Sequence, residues 1–236
     1  ILCAGHNTHL TALAARHQRG GRIAVLMRPS LPRSWFDLCL IPRHDDPAAS
    51  PHTIVTRGVL NRVRWSNTHS ADSGLILLGG PSRHADWQTA HILSQLDGIA
   101  TRDERTWLVA TSRRTPTDTA DRITTLGHRN LQTVTWDSVS SDWLREQLQN
   151  TPVVWISEDS VSMVYEALSS GAACGLLRLP GKASSRVRRG IDTLLAEGLI
   201  VTLEDWLQGR PMAPPAPPFN ETERCAQLIA SRWLQA

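Results

Sequence analysis

The stretch VVWISEDSVSMVYEALSSGAACGLLR, residues 153–178, decides the fold class. It opens on the apolar run VVWI closed by Ser157 and ends on a second run, ACGLLR, at 173–178. Between them Val161, Val164, Tyr165 and Leu168 recur at i, i+3, i+4 and i+7, the spacing of a helix's buried stripe. Gly171 supplies the C-terminal stop. Strand, helix and strand in immediate succession require a right-handed crossover between two parallel strands. An uninterrupted apolar strand is one covered on both faces, as in an α/β sheet.

The same alternation extends in both directions. Upstream, strands are predicted at 22–27, 37–41, 53–55, 74–78, 106–110 and 131–135, and downstream at 199–202. The opening ILCAGH reads as the end of a strand entering a loop. Helices are predicted at 8–18, 85–96, 116–126, 141–149, 159–169, 185–197 and 204–207, with Pro116 in a first helical turn. Residues 61–73 are polar and poor in aliphatic side chains, and read as a linker between two sheets. Residues 210–219 hold five prolines and favour an extended spacer. Asn220 and Glu223 then make a capping-box-like start to a final helix. Its Cys225, Leu228, Ile229 and Trp233 lie along one face, so that helix should dock.

Composition narrows the classes. The chain has 236 residues, 41% apolar and 20% charged, which suits a globular protein and excludes wholesale disorder. No apolar run exceeds five residues, whereas a membrane-spanning helix needs about 20. Cys3, Cys39, Cys174 and Cys225 lie far apart without a CxxC pair, which fits neither a disulfide scaffold nor a zinc site and suits a reducing cytosol. The net charge of +3 does not argue for nucleic acid. Lys182 is the only lysine among 25 basic residues, so the cationic chemistry is that of arginine, with its two-pronged grip on phosphate and carboxylate. There is no signal-peptide pattern. The first residue is Ile1, within what reads as a strand, and an upstream segment is expected.

Three loops carry the candidate chemistry. Gly79-Gly80-Pro81-Ser82-Arg83 follows a strand and precedes a predicted helix. Glycines there let backbone approach a ligand, and a helix start offers free N–H groups to phosphate. It lacks the GK[ST] ending of a Walker loop. Thr111-Ser112-Arg113-Arg114-Thr115 ends another strand, and paired arginines flanked by hydroxyls suit a diphosphate. The third is the helix start Ser157-Glu158-Asp159-Ser160. On the helix it opens, Asp159, Ser162 or Met163, and Glu166 fall away from the buried stripe, and Glu166 could accept two hydroxyl hydrogens from a ribose diol. Parallel sheets bind ligands at the carboxyl edge of their strands. Three such loops on one edge describe a site for a nucleoside diphosphate.

In the first part His6, His9 and the His44–Asp45 pair stand in loops, and His6 or Asp45 could serve as a base toward a hydroxyl. No metal-ligand spacing such as HExxH and no GxSxG occurs. Arg186, Arg188 and Arg189 form a further basic cluster, open to an anionic lipid, a phosphorylated acceptor or solvent alone.

The motifs AGHNTH, VLMRPSLP, FDLCLIPRHD, TRGVLNRV, GGPSRH, TSRRTP, SEDSVSMVYEAL and DTLLAEG together resemble the bacterial branch of the mitochondrial-fission "elongated mitochondria" family, from residue 1 to about residue 201. That resemblance implies a GT-B-like α/β fold: two Rossmann-like domains with parallel sheets, the first lacking an opening strand–helix stretch. Residues 1–68 would be its partial N-terminal, acceptor-side domain, 74–215 the nucleotide-sugar-binding domain, and 220–236 a helix packing back toward the first. Residues 157–171 are also similar to the donor helix of GT-B glycosyltransferases, including the one that adds N-acetylglucosamine to the lipid-linked peptidoglycan precursor. This places Ser160 at the phosphates and Glu166 at the ribose. The implied activity is metal-independent sugar transfer from a nucleoside-diphosphate donor, which is a substrate, so no cofactor is expected. Arg83, Arg113 and Arg114 would face the leaving diphosphate, and His6 would be the base. The implied partners are a nucleotide sugar and a lipid-linked or phosphorylated acceptor, with no nucleic acid. The implied setting is the cytoplasm, with at most peripheral contact at the inner membrane face. An epimerase on the same fold, or a scaffold that recruits division proteins as the plant branch does, are the other readings.

Overall fold

The computed structural model describes residues 1–66, 72–82, 85–140, 142–180 and 186–234, without the side chains of Arg186 and Val187. In chain order the elements are β1 (Leu2–Ala4), α1 (His9–Arg19), β2 (Ala24–Leu26), β3 (Leu38–Pro42), β4 (Thr53–Thr56), β5 (Ser73–Leu77), α2 (Thr89–Arg102), β6 (Thr106–Ala110), α3 (Thr117–Thr124), β7 (Leu131–Val134), α4 (Trp143–Asn150), β8 (Val153–Ser157), α5 (Val161–Ser170), β9 (Ala173–Leu177), α6 (Arg186–Ala196), β10 (Ile200–Thr202), α7 (Leu203–Leu207) and α8 (Glu221–Trp233). The chain divides into two compact units, Ile1–Leu60 with Asn220–Ala236, and Asn61–Phe219.

The first unit is a four-stranded sheet in the order β1-β2-β3-β4, every pairing parallel. β3 is buried along its whole length, as its unbroken apolar sequence requires. Alternate residues feed two cores. Cys3, Val25, Cys39 and Ile41 pack with Ala12 of α1 and with Phe36. Ala24, Leu38, Leu40 and Ile54 pack with Cys225, Leu228, Ile229 and Trp233 of α8. The side chain of Asn220 caps α8 by accepting from the Glu223 amide at 3.3 Å.

Glu221, in the first turn of α8, is buried. Its carboxylate accepts from the Arg57 amide at 2.9 Å and from Arg224 Nε and Nη2 at 2.9 and 2.7 Å. Arg224 Nη2 also donates to the Val55 carbonyl at 3.0 Å, which ties the helix start to β4. Burial alone would raise the Glu221 carboxyl, but the hydrogen bonds from Arg224 and the Arg57 amide outweigh it and hold it below its ordinary value. A depressed acid stabilises the fold above its unfolded pKa and loses that contribution as pH falls through the folded one. Glu221→Gln should therefore cost about 1–2 kcal/mol at pH 7. The deficit should vanish in thermal melts run well below pH 4.5.

The second unit is a six-stranded sheet in the order β10-β9-β8-β5-β6-β7, again all parallel. Two strand neighbours interlock by size. Gly74 pairs with Trp107 and Gly175 with Trp155, and a Cβ on either glycine would fall inside the indole ring beside it. Both rings are fully buried among Ile76, Leu78, Leu96, Val109 and Leu177. Strand order reverses between β5 and β8, since β6 and β7 extend one way and β9 and β10 the other. That reversal opens a crevice at the carboxyl edge.

Most boundaries agree with the sequence pattern to within three residues. The exception is α2, which runs from Thr89 to Arg102 rather than over 85–96. Upstream of it, Ser82 Oγ accepts from the Ala85 amide at 3.1 Å. Trp87 then packs on the core while its Nε1 donates to Thr119 at 3.2 Å. Side-chain anchoring at Trp87 thus overrides helix propensity over 85–88.

Candidate functional site

The loops after β5, β6 and β8 meet at the crevice and are bonded to one another. The Gly79 amide donates to Ser157 Oγ at 2.8 Å, and that hydroxyl donates to Asp159 Oδ1 at 2.7 Å. The Gly80 amide donates to Asp159 Oδ2 at 3.0 Å. Arg114 Nη2 reaches the same oxygen at 2.8 Å, and the Asp159 side chain is completely covered. From the β6 side Ser112 Oγ donates to the Gly79 carbonyl at 2.8 Å. Thr115 Oγ1 donates to the same carbonyl, and Arg114 Nη1 donates to that of Gly80 at 3.2 Å. Asp159 is thus the knot that ties three loops.

This arrangement revises the reading of the glycines. A Cβ at Gly79 would strike the Asp159 carboxylate, and one at Gly80 would strike the Arg114 backbone. Both glycines admit a neighbouring loop, so a ligand's approach is not what requires them there. The loop they open also does not run directly into a helix, since α2 begins only at Thr89. The free N–H groups of a helix start therefore do not stand at that loop, whereas α5 begins directly after the third one.

Ser160 precedes α5, is buried, and its hydroxyl does not cap the helix. The first-turn amides of α5 have no intrahelical acceptor. They form the positive end of the helix dipole. On the face of α5 that carries Met163, Glu166 follows three residues on. Burial raises its carboxyl above the ordinary value, and among the described residues no hydrogen bond or ion pair compensates. An acid held at a cost without a partner is the pattern of a ligand site.

Met163 lines a hollow of about 530 Å³ together with Leu77, Ser112, Arg113, Trp136 and Trp143. The Arg113 guanidinium lies 5.4 Å over the Trp136 ring. Ser82 Oγ is engaged by the Ala85 amide, and Arg83 lies outside the described residues. Trp136 and Trp143 were not among the candidates read from sequence, and Glu158 was named only within the third loop, without a role. The first two were legible as aromatic residues in an otherwise polar loop, and the last as an acid at a strand's carboxyl end. Glu158 is buried and accepts from the Leu179 amide at 3.0 Å.

In the first unit His6 sits exposed in the turn after β1, its ring edge-on to that of His9 at 5.9 Å. His9 is buried, its Nδ1 lies 3.2 Å from Ser30 Oγ, and burial followed by the neighbouring His6 lowers its pKa. His44 and Asp45 form a short turn after β3, where the Asp45 carbonyl accepts from Arg28 at 3.2 Å.

Solved structures share this architecture over the whole chain. One assigned as a UDP-N-acetylglucosamine 2-epimerase from Listeria monocytogenes is 13% identical at a TM-score of 0.61, with 100% of this chain and 74% of that one covered. A UDP-GlcNAc 2-epimerase from Neisseria meningitidis bound to UDP-GlcNAc is 12% identical at a TM-score of 0.53, with 100% and 76% covered. At such identity the likeness is one of fold, and the fold is GT-B-like, with two parallel α/β sheets. No curated protein matches the chain by sequence. The family model described as Mitochondrial fission ELM1 matches residues 1–233, and the chain belongs to that family.

Proposed function

We propose that the second unit binds a nucleoside-diphosphate sugar and that the protein transfers the sugar to an acceptor hydroxyl. The observation that carries this reading is the hollow over the carboxyl ends of β5, β6 and β7, which Met163 of α5 also lines, followed on the same helix face by Glu166, for which no partner is found among the described residues. Trp136 and Trp143 offer flat faces to a nucleobase, Glu166 accepts from the ribose hydroxyls, and the first-turn amides of α5 take the diphosphate. In the transfer the acceptor oxygen bonds to the anomeric carbon as the bond from that carbon to the diphosphate breaks. The departing charge falls to the α5 amides, Arg113 and Arg114. His6 is assigned the acceptor's proton. The acceptor is lipid-linked or phosphorylated, met in the cytoplasm or at the membrane's inner face. Among the described residues no helix is long and apolar enough to cross a membrane.

The solved relatives by fold named above are 2-epimerases, so epimerisation of the same class of donor is the second reading. Both require nucleotide binding, whereas a recruitment scaffold does not. Titration with UDP, followed by tryptophan fluorescence and calorimetry, should show saturable binding. Glu166→Ala should weaken it about tenfold, the worth of a charge-assisted hydrogen bond. Affinity should also decline as pH falls through the raised Glu166 pKa, because the protonated acid no longer accepts both hydroxyls. Absence of any UDP binding would leave the scaffold reading.

A further inference from the structure

The charges of the first unit are segregated along its strands. Asp45 and Asp46 follow β3, and Glu221 and Glu223 stand in the first turn of α8, where Glu221 meets the Arg57 amide just past β4. These four acids share the carboxyl edge of the sheet with as many arginines, Arg28, Arg43, Arg57 and Arg224. The amino edge has no such balance. Asp37, directly before β3, accepts from the Ile23 amide before β2 at 2.8 Å and from Arg16 of α1 at 3.2 Å. Arg33 donates to Oγ1 of Thr53, the first residue of β4, at 3.3 Å. Arg19 ends α1, which has run back to the same edge. Arg22 donates to the Arg232 carbonyl at 3.4 Å and lies 5.7 Å over the Trp233 ring, which brings the end of α8 there too. Among the described residues Arg16, Arg19, Arg22, Arg33 and Arg232 thus meet one acid, Asp37, at this edge. Arg19, Arg22 and Arg232 are exposed. So are two large apolar side chains, Trp35 in the turn before β3 at 48% and Leu234 just past α8 at 78%.

We infer that the amino edge of the first sheet is a docking surface for an anionic lipid membrane, with the arginines at the headgroups and Trp35 and Leu234 entering the interface. A guanidinium beside an anionic leaflet is attracted within a Debye length, and several together hold a protein there. An indole, apolar in body and polar at its N–H, belongs at the boundary of lipid and water. Charge alone would suit a nucleic acid equally, but Leu234 neither stacks on a base nor bonds to a phosphate, which favours lipid. His6 lies past the opposite end of β1, so docking leaves its loop uncovered. The surface does not depend on the nucleotide reading.

The test is co-sedimentation of the full chain with vesicles of pure phosphatidylcholine and of an equal mixture of phosphatidylcholine and phosphatidylglycerol. The mixed vesicles should take up the protein and release it as salt rises, and the neutral ones should leave it in solution. Arg19 makes no hydrogen bond or ion pair among the described residues, so Arg19→Gln should melt like the parent while partitioning about fivefold more weakly, the worth of one arginine at an anionic surface. Trp35→Ala should weaken partitioning about fivefold through lost apolar burial. Should Trp35→Ala fail to fold, Leu234→Ala at the exposed helix end should show the same direction. No uptake by the mixed vesicles, equal uptake by both kinds, or uptake that neither the arginine nor the apolar variant moves would overturn the proposal. Tighter binding to duplex DNA than to the mixed vesicles would overturn it in favour of nucleic acid.

Discussion

Asp159→Ala is expected to cost about 2–3 kcal/mol and to weaken UDP at least tenfold, the two effects arising from one cause. The carboxylate accepts from the Gly80 amide, Ser157 Oγ and Arg114 Nη2 while completely covered, so its loss leaves three donors without an acceptor. Breaking a buried pair by removing one partner commonly costs about 3–5 kcal/mol. The Arg114 side chain is 43% exposed and can turn to water, which argues for the lower figure. A unit of this size should melt about 5–10 °C lower. The loops after β5 and β6 would no longer be held against the start of α5, and a misplaced diphosphate seat loses affinity before the fold is lost. Differential scanning calorimetry with UDP titration reads both. An Asp159→Ala protein that melts like the parent would show that the knot is not stabilising.

Gly175→Val is expected to be the most damaging single change, at about 3 kcal/mol or more. The position faces Trp155 on the neighbouring strand, and a Cβ there would lie within the six-membered ring. Trp155 cannot retreat, because it is fully buried and meets the Trp206 ring edge-on at 5.3 Å. Overpacking is cheap only where the neighbour is the far end of a flexible chain, and an indole between two strands is not. Urea unfolding followed by far-UV circular dichroism should show a lower midpoint or an unfolded protein. A midpoint equal to the parent's would mean that the two strands separate freely at this point.

Much of the fold was legible because buried parallel strands announce themselves. VVWIS and ACGLL are continuous apolar runs, and both become buried strands of the second sheet. The apolar face of Cys225, Leu228, Ile229 and Trp233 could be read from spacing alone, and those residues meet the first sheet. The start of α2 was not legible, because tertiary anchoring of Trp87 on Thr119 decides it, and no local propensity records a partner more than 30 positions away. The role of the glycines was hidden for a related reason. Gly79 and Gly80 follow a strand as ligand-binding glycines do, yet what fills their missing side chains is Asp159 and the Arg114 backbone, which only the folded chain brings there. Convergence of three loops was visible from their common position after strands. The separate partners of Glu158 and Asp159 were not, since both acids stand in the turn after β8 and only the strand order sets which neighbouring loop each one meets.

A crystal structure of the full chain with UDP tests the nucleotide seat most directly. The account predicts uracil in the hollow beside Trp136 and Trp143, the ribose hydroxyls on the Glu166 carboxylate, and the diphosphate against the first-turn amides of α5. UDP bound elsewhere, or a hollow that stays empty at saturating nucleotide, would contradict it.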